Sequence, residues 1–575
     1  MDQPYVMVAA IDLGTTYSGY TFSTTYDQNT IYSFNKWGTS VNIPFSQKTP
    51  TCLLTDQNLQ FVAMGYEAQR QYKEMDDEIL NFRYFEGFKM SLHLDKNINQ
   101  DSVIQDSTGL SCPALDIFAM MLRELGNHLM EQVKCRVDSV PTNCQIRWVV
   151  TVPAIWTDAA KQFMRMAAVK AGLVDIPKAD NLLIALEPEV ASMYCAKLPL
   201  KEFPSSPTTH EFKEGLKYVV IDAGGGTLDV TVHELLTGGG LTELHCANGG
   251  AMGAHKVNVR FIEVLRRVFK HHDFIDKCRS ESPGVFLDLQ CSFETIKRSV
   301  DPEKKNSALI PINMELSDLH RELYGESIVK SITPDYQKQG VRIRSGMLTL
   351  PYSVLLDIFS PVVDDVVTYV CNLLTKPELD GVETVLLVGG FSDCVLLQKS
   401  LRQALRSDLA ILIPNDAWSA VLKGAVMFGH DPTWIRGRKS QRTYGIAGMV
   451  TFNPLYHRLS QRITLNEREL VRNAFVMLIQ KGEPLRSITK RCKPAAYNTK
   501  LMEFKIYATP KKIPTFVDDA ESVMVAMVTV ELEGCGIDRE VEVEVKFDGP
   551  ETGIAARDIS GKGQVVKADI NFLRQ

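Results

Sequence analysis

The chain has 575 residues, of which 45% are hydrophobic and 23% charged, and its net charge of −6 is mild for that length. This composition is typical of a globular protein with several domains, and it gives no reason to expect nucleic acid as a partner. No apolar run approaches the ~18 residues that would cross a bilayer, so we expect no transmembrane segment. The twelve cysteines are scattered without a C-x-x-C pair, which favours free thiols over a disulfide or zinc framework. Because the N-terminus also lacks the basic region of a secretory signal, we expect a cytoplasmic or nuclear location.

Two strand–turn–strand segments stand out along the chain. In the first, the apolar run Val6–Ile11 predicts a buried strand, Asp12–Thr16 a tight turn, and Tyr17–Phe22 an outgoing strand. The second copy follows the same order, with Tyr218–Ile221, Asp222–Thr227 and Leu228–His233. Two like units so far apart predict a duplicated, two-lobe architecture rather than a short-period repeat.

Helical patterns and one further strand lie around these units. We predict helices over three segments, the second of them capped by Thr157: Leu115–Glu131, Asp158–Ala171 and Leu287–Ser299. The Pro- and Ser-rich stretch Pro199–Gly215 is typical of a loop that joins the two halves. Val385–Val388 predicts another buried strand, which Gly389, Gly390 and a helix through Leu405 follow.

The character of the sequence changes near residue 436. Four basic residues form a connector there, which we expect to be a solvated linker: Arg436, Arg438, Lys439 and Arg442. Beyond it, Val523–Val530 and Glu540–Phe547 have the composition and alternation of strands. The C-terminal part of the chain is therefore predicted to be β-rich.

The two Gly-rich turns suggest a common chemistry. A strand that ends in Asp and continues through glycines presents backbone N–H groups in a concave turn, which suits phosphate oxygens. The carboxylates of Asp12 and Asp222 at the two strand ends suit a hydrated Mg²⁺ that bridges phosphates. A single such turn is more often an ordinary Asp/Gly turn, but both together predict a nucleotide-phosphate site.

The motifs resemble a known family. Ile11–Ser18 resembles the first phosphate loop of the 70-kDa heat-shock chaperones, which belong to the actin/hexokinase ATPase superfamily, and Ile221–Val230 resembles the second. Further motifs of that family are matched in order along residues 5–435: Val150–Ala154, Leu186–Glu189, Glu294–Arg298, Leu387–Phe391 and Lys423–Val426. Three details resemble the divergent branch named heat shock 70 kDa protein 12, in its A and B forms: Tyr84–Met90, Gly429–Pro432 and Thr443–Gly445.

The resemblance implies a fold and a division of the chain. The fold class is α/β, with a duplicated two-lobe actin-like ATPase core of the ribonuclease H-like type and a C-terminal β-domain. Lobe I would cover residues 1–213 and lobe II residues 214–435, with its last helix returning to lobe I. The basic connector would be 436–442, and 443–575 would form a substrate-binding-like β-domain without the family's helical lid.

The resemblance also implies site residues for ATP or ADP with Mg²⁺. Asp12, Glu187 and Asp222 would position Mg²⁺, mainly through water, and Lys89 would steady the attacking water and the γ-phosphate; the alternative for Lys89 is a solvated surface lysine. The catalytic set would be Lys89, Asp12, Glu187, Asp222 and Thr227. The phosphate cradle would be Gly14, Thr15, Thr16, Tyr17, Gly224, Gly225, Gly226 and Thr227. The adenosine contacts would be Glu294, Lys297, Arg298, Gly389 and Gly390.

Several positions depart from the family pattern. Gly253–Lys256 places basic residues where the family has acids, Asp393 stands where it has an arginine, and Lys161 replaces an interdomain-relay arginine. We expect nucleotide binding to tolerate these departures. Together with the basic connector, they predict weakened hydrolysis and weakened chaperone-type allostery.

The resulting functional hypothesis is an atypical heat-shock-70-like chaperone. It would bind ATP, hydrolyse it slowly with Mg²⁺, and couple this weak ATPase to protein or peptide clients, with co-chaperones as further partners. The first alternative is a nucleotide-gated scaffold that binds ATP and barely hydrolyses it. A small-molecule kinase of the same superfamily is less favoured, since the sequence shows no catalytic Asp with substrate loops between the lobes.

Overall fold

The computed structural model of the chain describes residues 5–37, 46–75, 81–95, 97–136, 139–176, 179–204, 212–465, 468–494, 497–547, 553–559, 566–569 and 572–573. Within these ranges, none of the helices combines the length and the apolar character needed to span a bilayer.

Lobe I has a central mixed sheet and five α-helices in the described ranges. Its strands are β1 Met7–Asp12, β2 Tyr17–Thr24, β3 Tyr32–Ser33, β4 Thr49–Pro50, β5 Cys52–Asp56, β6 Phe61–Met64, β7 Phe82–Glu86, β8 Val103–Gln105, β9 Ser111–Pro113, β10 Ile146–Val152 and β11 Leu182–Leu186. Its helices are α1 Gly65–Glu74, α2 Ser91–Leu94, α3 Ala114–Lys134, α4 Asp158–Lys170 and α5 Glu187–Ala196. The central strand order is β11-β10-β1-β2-β3, and β4 pairs with β2.

Lobe II repeats this plan with more helices. Its strands are β12 Lys217–Ala223, β13 Leu228–Leu235, β14 Leu241–Gly250, β15 Ala308–Pro311, β16 Arg342–Arg344, β17 Met347–Leu350, β18 Thr384–Val388, β19 Ala410–Leu412 and β20 Ile435–Gly437. Its helices are α6 His255–Val268, α7 Phe274–Glu281, α8 Pro283–Lys297, α9 Met314–Tyr324, α10 Pro334–Lys338, α11 Tyr352–Leu374, α12 Val395–Ala404 and α13 Ala420–His430. The central strand order is β19-β18-β12-β13-β14-β20.

The two sheets confirm the duplicated fold. Strand β1 pairs in parallel with β10 and antiparallel with β2, and β12 makes the same two kinds of pairing with β18 and β13. All residues of β1 are buried, as are all but the first residue of β12, because helices cover both faces of each sheet. Asp12 and Asp222 therefore stand at equivalent strand ends.

Helices α5 and α13 pack against each other between the two sheets. A Cβ atom at Gly424 of α13 would lie 1.8 Å from the carbonyl oxygen of Val190 in α5, so no side chain fits at this crossing. Around the crossing, apolar side chains of both lobes form one shared core that includes Val8, Val220 and Leu386. This contact fixes how the two lobes sit relative to each other.

The C-terminal part of the chain is β-rich, as predicted. Its strands are β21 Thr443–Thr451, β22 Arg462–Leu465, β23 Arg468–Ile479, β24 Ile488–Cys492, β25 Leu501–Thr509, β26 Val523–Glu531, β27 Val541–Lys546, β28 Gly553–Asp558 and β29 Val566–Asp569. They form two sheets, in the orders β22-β23-β21-β25-β26 and β24-β27-β28-β29. The valines of β27 are buried while its glutamates and lysine are more accessible, which is the outcome that strict alternation predicts.

The connector is not the solvated linker that its basic composition led us to expect. Strand β20 pairs in parallel with β14, so the connector begins as an edge strand of lobe II. The Arg438 guanidinium then donates two hydrogen bonds, of 2.7 and 2.8 Å, to the buried carboxylate of Glu189 in lobe I. The backbone N–H of Lys439 donates to Glu243 over 2.7 Å. The prediction was wrong because the partners of these groups lie far away in sequence, where composition gives no sign of them.

The end of the connector and the C-terminal β-region also contact lobe I directly. The Tyr444 hydroxyl donates to Asp158 over 2.6 Å, and the Gln441 side chain donates to the Ala154 carbonyl over 2.8 Å. Lys161, which the sequence resemblance matches to a relay arginine, has its ammonium 3.8 Å from the same Asp158 carboxylate. The substituted lysine therefore lies within the interdomain contact.

Candidate functional site

The two Gly-rich turns face each other across the lobe boundary. In the second turn the N–H of Gly224 donates to the Thr227 carbonyl over 3.0 Å. A Cβ at Gly225 would lie 2.3 Å from the Thr16 hydroxyl oxygen, and one at Gly226 would lie 2.5 Å from that of Thr15. Glycine is therefore required where the loops approach each other, and the predicted cradle residues of both loops are brought together.

The backbone N–H groups of both loops suit a phosphate group. Within the described ranges, we find no acceptor for the N–H groups of Thr15, Thr16, Gly225 and Gly226. Backbone N–H groups are obligatory donors that folded proteins normally satisfy. Unpaired donors on two glycine-rich turns are the arrangement that binds phosphate oxygens, so the fit to a nucleotide phosphate chain is good.

The start of α6 supports the second loop through backbone atoms. The N–H groups of Gly253, Ala254 and His255 donate to the carbonyls of Gly226, Gly224 and Gly225 over 3.1, 3.1 and 2.7 Å. The Lys256 ammonium lies 3.7 Å from Asp365 on the surface. The basic residues in this departure from the family pattern therefore leave the loop's support intact, since the support needs no particular side chain at these positions.

A cluster of buried charges lies beside the loops. The Lys89 ammonium is 2.8 Å from the Glu187 carboxylate and its residue is only 3% exposed, so Lys89 is not a solvated surface lysine. The Lys48 ammonium is 2.6 Å from Asp12, whose other oxygen accepts a 2.9 Å hydrogen bond from the Thr151 hydroxyl. The predicted residues Asp12, Lys89 and Glu187 are thus held in place by specific partners.

The electrostatics distinguish the two loop aspartates. Burial tends to raise the pKa of Asp12, but the ammonium groups of Lys48 and Lys89 outweigh burial and lower it. Burial, together with the carboxylates of Glu187 and Asp229, raises the pKa of Asp222 well above its usual range. Asp12 is therefore ionised at neutral pH, whereas ionised Asp222 is costly unless a cation lies near it.

Glu187 and Lys89 also have shifted pKa values. Burial raises the pKa of Glu187 to about 7, although Lys89 opposes this effect. Burial alone would lower the pKa of Lys89, but Glu187 and Asp12 outweigh it and raise the pKa. Near neutral pH, Lys89 is thus a fixed cation, and Glu187 can be either protonated or ionised.

The donor set fits Mg²⁺ held through water rather than by a direct cage. In the part of the chain that the structure describes, no group of three His, Cys, Asp or Glu side chains is arranged to ligate one metal ion. Mg²⁺ commonly keeps several waters and takes one or two carboxylates plus phosphate oxygens. Asp12, Glu187 and Asp222 would hold it in this way, and the crowded carboxylates around Asp222 would be relieved by its charge.

A cavity of about 710 Å³ extends from the first loop to α8. Its lining includes five of the predicted residues: Thr15, Thr16, Tyr17, Glu294 and Arg298. The Arg298 guanidinium lies 4.9 Å from the centre of the Tyr17 ring, which places a cation against an aromatic face at the boundary between the lobes. A volume of this order is in the range of small-molecule sites.

The remaining predicted adenosine contacts, Lys297, Gly389 and Gly390, do not line this cavity. The Lys297 ammonium is occupied by Glu294 at 2.6 Å and by the Asn258 side-chain oxygen at 3.0 Å, and Lys297 does not line the cavity. Gly389 has φ +88°, and a Cβ there would lie 2.3 Å from a carboxylate oxygen of Asp222, so this glycine makes room for that side chain. A Cβ at Gly390 would meet nothing within 4 Å.

Sequence reasoning did not find several partners in this cluster. Asp229, whose carboxylate accepts a 2.9 Å hydrogen bond from the Ile155 N–H, follows Thr227 by two residues and could have been found from the second loop. Thr151 lies inside a matched motif and could have been found in the same way. Lys48 and Asn258 stand in no recognisable pattern, and only the folded structure shows their contacts.

Comparisons with known proteins agree with this geometry. A family profile described as Hsp70 protein matches residues 8–324. Heat shock 70 kDa protein 12B of Homo sapiens is 32% identical over 99% of this chain and 91% of its own length. Heat shock 70 kDa protein 12A of Mus musculus is 31% identical over 99% of this chain and 92% of its own length. The chloroplastic stromal 70 kDa heat shock-related protein of Pisum sativum is 25% identical over 64% of this chain and 47% of its own length. Similarity to the first two relatives therefore extends through the connector and the β-rich region.

Proposed function

The chain belongs to the Hsp70 family, and on that basis we propose that it binds ATP with Mg²⁺, hydrolyses it slowly, and couples nucleotide to the binding of a protein client. The family membership supports an ATP-binding, Hsp70-like protein. The finer proposal is an atypical chaperone whose C-terminal β-region holds an extended or unfolded segment. Its site residues are those predicted from the sequence, with Lys48 added.

The observation that carries the proposal is the buried cluster of Lys89, Glu187, Asp12 and Asp222 between two loops whose N–H groups meet no acceptor among the described residues. The loop N–H groups would hold phosphate oxygens, and the Lys89 ammonium would stabilise charge on the transferred phosphoryl group. Glu187, with its pKa near 7, would orient a water molecule and accept its proton. Mg²⁺, when bound, would supply further neutralisation of the phosphate charge.

Coupling to the β-region is supported by the first turn of α5. Glu187 contacts Lys89 in the cluster, while Glu189 in the same turn contacts Arg438 in the connector. A displacement of this turn by nucleotide would reach the connector directly. The docked connector and the Tyr444–Asp158 hydrogen bond supply the contacts that such a displacement would strain or release.

Calorimetric titration with Mg·ATP and a single-turnover hydrolysis assay on the full chain test this proposal. We expect binding, slow turnover, and a change of the turnover rate when a permanently unfolded protein, such as reduced carboxymethylated lactalbumin, is added. The exposed-carboxylate variant Asp408→Asn serves as a matched control for later site variants, since 72% of its side chain is exposed. Absence of ATP binding would defeat the whole proposal.

A nucleotide-gated scaffold is the second candidate, and one observation favours it. The Arg438–Glu189 pair is buried and bidentate, so opening the connector would leave two charges without partners. A connector held this firmly suits a protein that binds ATP as a lasting ligand. Binding without measurable turnover, and without a response to the unfolded protein, would favour this candidate over the chaperone.

A further inference from the structure

A second cavity lies where lobe II, the connector and the β-region meet. Its volume is about 940 Å³, and four lysines line it: Lys376, Lys439, Lys481 and Lys512. They come from four separate segments, namely the turn after α11, the connector, the turn after β23 and the loop after β25. The cavity is separate from the nucleotide site, and neither the sequence motifs nor the proposed function accounts for it.

The four ammonium groups lack neutralising partners. In the described ranges, no carboxylate lies within ion-pair distance of any of these lysines, and Lys376 only approaches the His245 ring nitrogen at 3.1 Å. Two carboxylates also line the cavity, and both have other contacts. Glu378 lies 3.4 Å from His245, and Glu483 accepts a hydrogen bond from the N–H of Gln480. With four ammonium groups against two carboxylates, the lining carries an excess of two positive charges.

Backbone contacts hold this arrangement in place. The Gly482 N–H donates to the Ser440 carbonyl over 2.8 Å, and the Ser440 N–H donates back to the Glu483 carbonyl over 2.8 Å. The Thr443 hydroxyl donates to the Lys512 carbonyl and accepts from the Lys481 N–H. The backbones that carry three of the lysines are thus fixed against one another, which places like charges together before any ligand arrives.

The size and charge of the cavity indicate the class of ligand. A sphere of this volume would be about 12 Å across, so a ligand at its centre would lie about 6 Å from the lining, which is within the Debye length of ~8 Å at physiological ionic strength. Concave basic sites focus the field on anions, and lysine binds phosphate as a point charge. A single phosphate cannot reach four lysines spread around such a volume, whereas a compact molecule with several phosphates can.

We propose that this cavity is a binding site for a small, water-soluble molecule that carries several phosphate groups. Its ligand would touch Lys376 on lobe II and both Lys481 and Lys512 on the β-region. Because it joins the two parts, the ligand would stabilise the docked arrangement of the connector. It would thus regulate the coupling between the ATPase core and the β-region without occupying the nucleotide site.

The test uses the full chain and inositol hexakisphosphate as the probe, with calorimetry at low and at moderate salt. We expect binding that weakens as salt is raised. The variant Lys376→Gln/Lys481→Gln/Lys512→Gln should weaken binding by about ten-fold or more. The matched variant Lys330→Gln/Lys500→Gln/Lys546→Gln removes three exposed lysines outside the cavity and should change affinity by less than about two-fold.

Measurement of amide hydrogen exchange separates loss of the binding site from a folding defect in the variant. In the wild-type chain, the probe should slow exchange at the amides of Ser440 and Gly482, which hold the connector against the turn after β23. Absence of slowing there would contradict the proposal even if the probe binds. The triple cavity variant should keep the wild-type exchange pattern elsewhere, which shows that its loss of affinity is local.

Several outcomes would overturn the proposal. These are no binding of the probe, equal affinities of the two triple variants, or equally tight binding of inorganic phosphate, which would indicate a site for one anion. Loss of binding in Lys48→Gln but not in the cavity variant would place the probe in the nucleotide cleft. Sedimentation with vesicles that contain phosphatidylinositol bisphosphate, without binding of the free probe, would assign the site to a lipid surface instead.

Discussion

Glu187 and Glu189 lie in the same first turn of α5 and contact cations in two different parts of the molecule. Glu187 contacts Lys89 beside the Gly-rich loops, and Glu189 accepts two hydrogen bonds from Arg438 of the connector. Two residues along a helix point in different directions, so one short turn can serve both contacts. The distance from the candidate site to the connector is therefore a single helical turn.

Replacement of Arg438 by Gln should loosen the connector. The change leaves Glu189 buried without its counter-charge, and breaking one side of a buried pair costs about 3–5 kcal/mol. We expect faster hydrogen exchange at the Lys439 amide, which donates to Glu243. The exposed Arg436→Gln is the matched control and should leave exchange unchanged.

A double variant checks the origin of that effect. If the pair itself holds the connector, Glu189→Gln combined with Arg438→Gln should be less destabilising than the sum of the single changes. Strictly additive effects, or an unchanged connector in Arg438→Gln, would show that the other contacts hold it.

Lys89→Ala should slow single-turnover hydrolysis while largely sparing ATP affinity. The ammonium lies 2.8 Å from Glu187 and is attracted by Asp12, and in the proposed function it would act on charge that develops during phosphoryl transfer. Loss of one such group costs about 10²–10³-fold in rate. A fall in affinity of the same size would instead identify Lys89 as a binding residue, and the exposed Lys330→Ala should affect neither quantity.

Asp222→Asn should have opposite effects on the free and the nucleotide-bound protein. Because burial, together with the neighbouring carboxylates, raises the pKa of Asp222, the neutral amide should remove the cost of a buried carboxylate and raise the melting temperature of the free protein slightly. The additional stabilisation by Mg·ATP should shrink, since a carboxylate that suits the metal's waters is lost. Thermal unfolding with and without Mg·ATP measures both effects. If Mg·ATP raised the melting temperature of the variant as much as that of the wild type, Asp222 would not be part of the nucleotide site. The control Asp408→Asn should behave as wild type.

The buried Glu243 should make stability depend on pH. Burial raises its pKa to about 7, from a usual value of 4.5. Between these values the unfolded chain is ionised at this position while the folded chain holds the proton, so stability falls as pH rises from about 4.5 to 7 and is then level. The loss amounts to about 3 kcal/mol at most.

Glu243→Gln should remove that contribution. Its amide cannot accept both hydrogen bonds that Glu243 accepts from the N–H groups of Ala247 and Lys439, so its absolute stability should be lower. The informative quantity is the difference in unfolding free energy between variant and wild type, which should shift in favour of the variant from pH 5 to pH 8. A constant difference would contradict the raised pKa.

Patterns within short stretches of sequence were sufficient to predict much of the fold. The signal of each loop, a buried strand that ends in Asp followed by Gly and Thr, lies in adjacent residues, so both Gly-rich loops and the duplication could be predicted. Helix α4 begins after Thr157, whose hydroxyl accepts from the Ala160 N–H as the cap pattern indicated. The alternation in β27 predicted its buried face for the same reason: each signal lies within a few residues. The roles of the site residues toward ATP stay predictions.

Tertiary structure alone decided how the charges pair. Asp12 and Lys48 are 36 residues apart, and Glu189 and Arg438 are 249 residues apart. The energy of an ion pair depends on the distance between its atoms and on burial, and neither quantity is written in the local sequence. The sequence by itself determined the two lobes, the Gly-rich loops and the β-rich region, because their signals are local periodicities. Packing of α5 against α13 and of the connector against both lobes decided which carboxylate meets which cation, because only folding brings those atoms together.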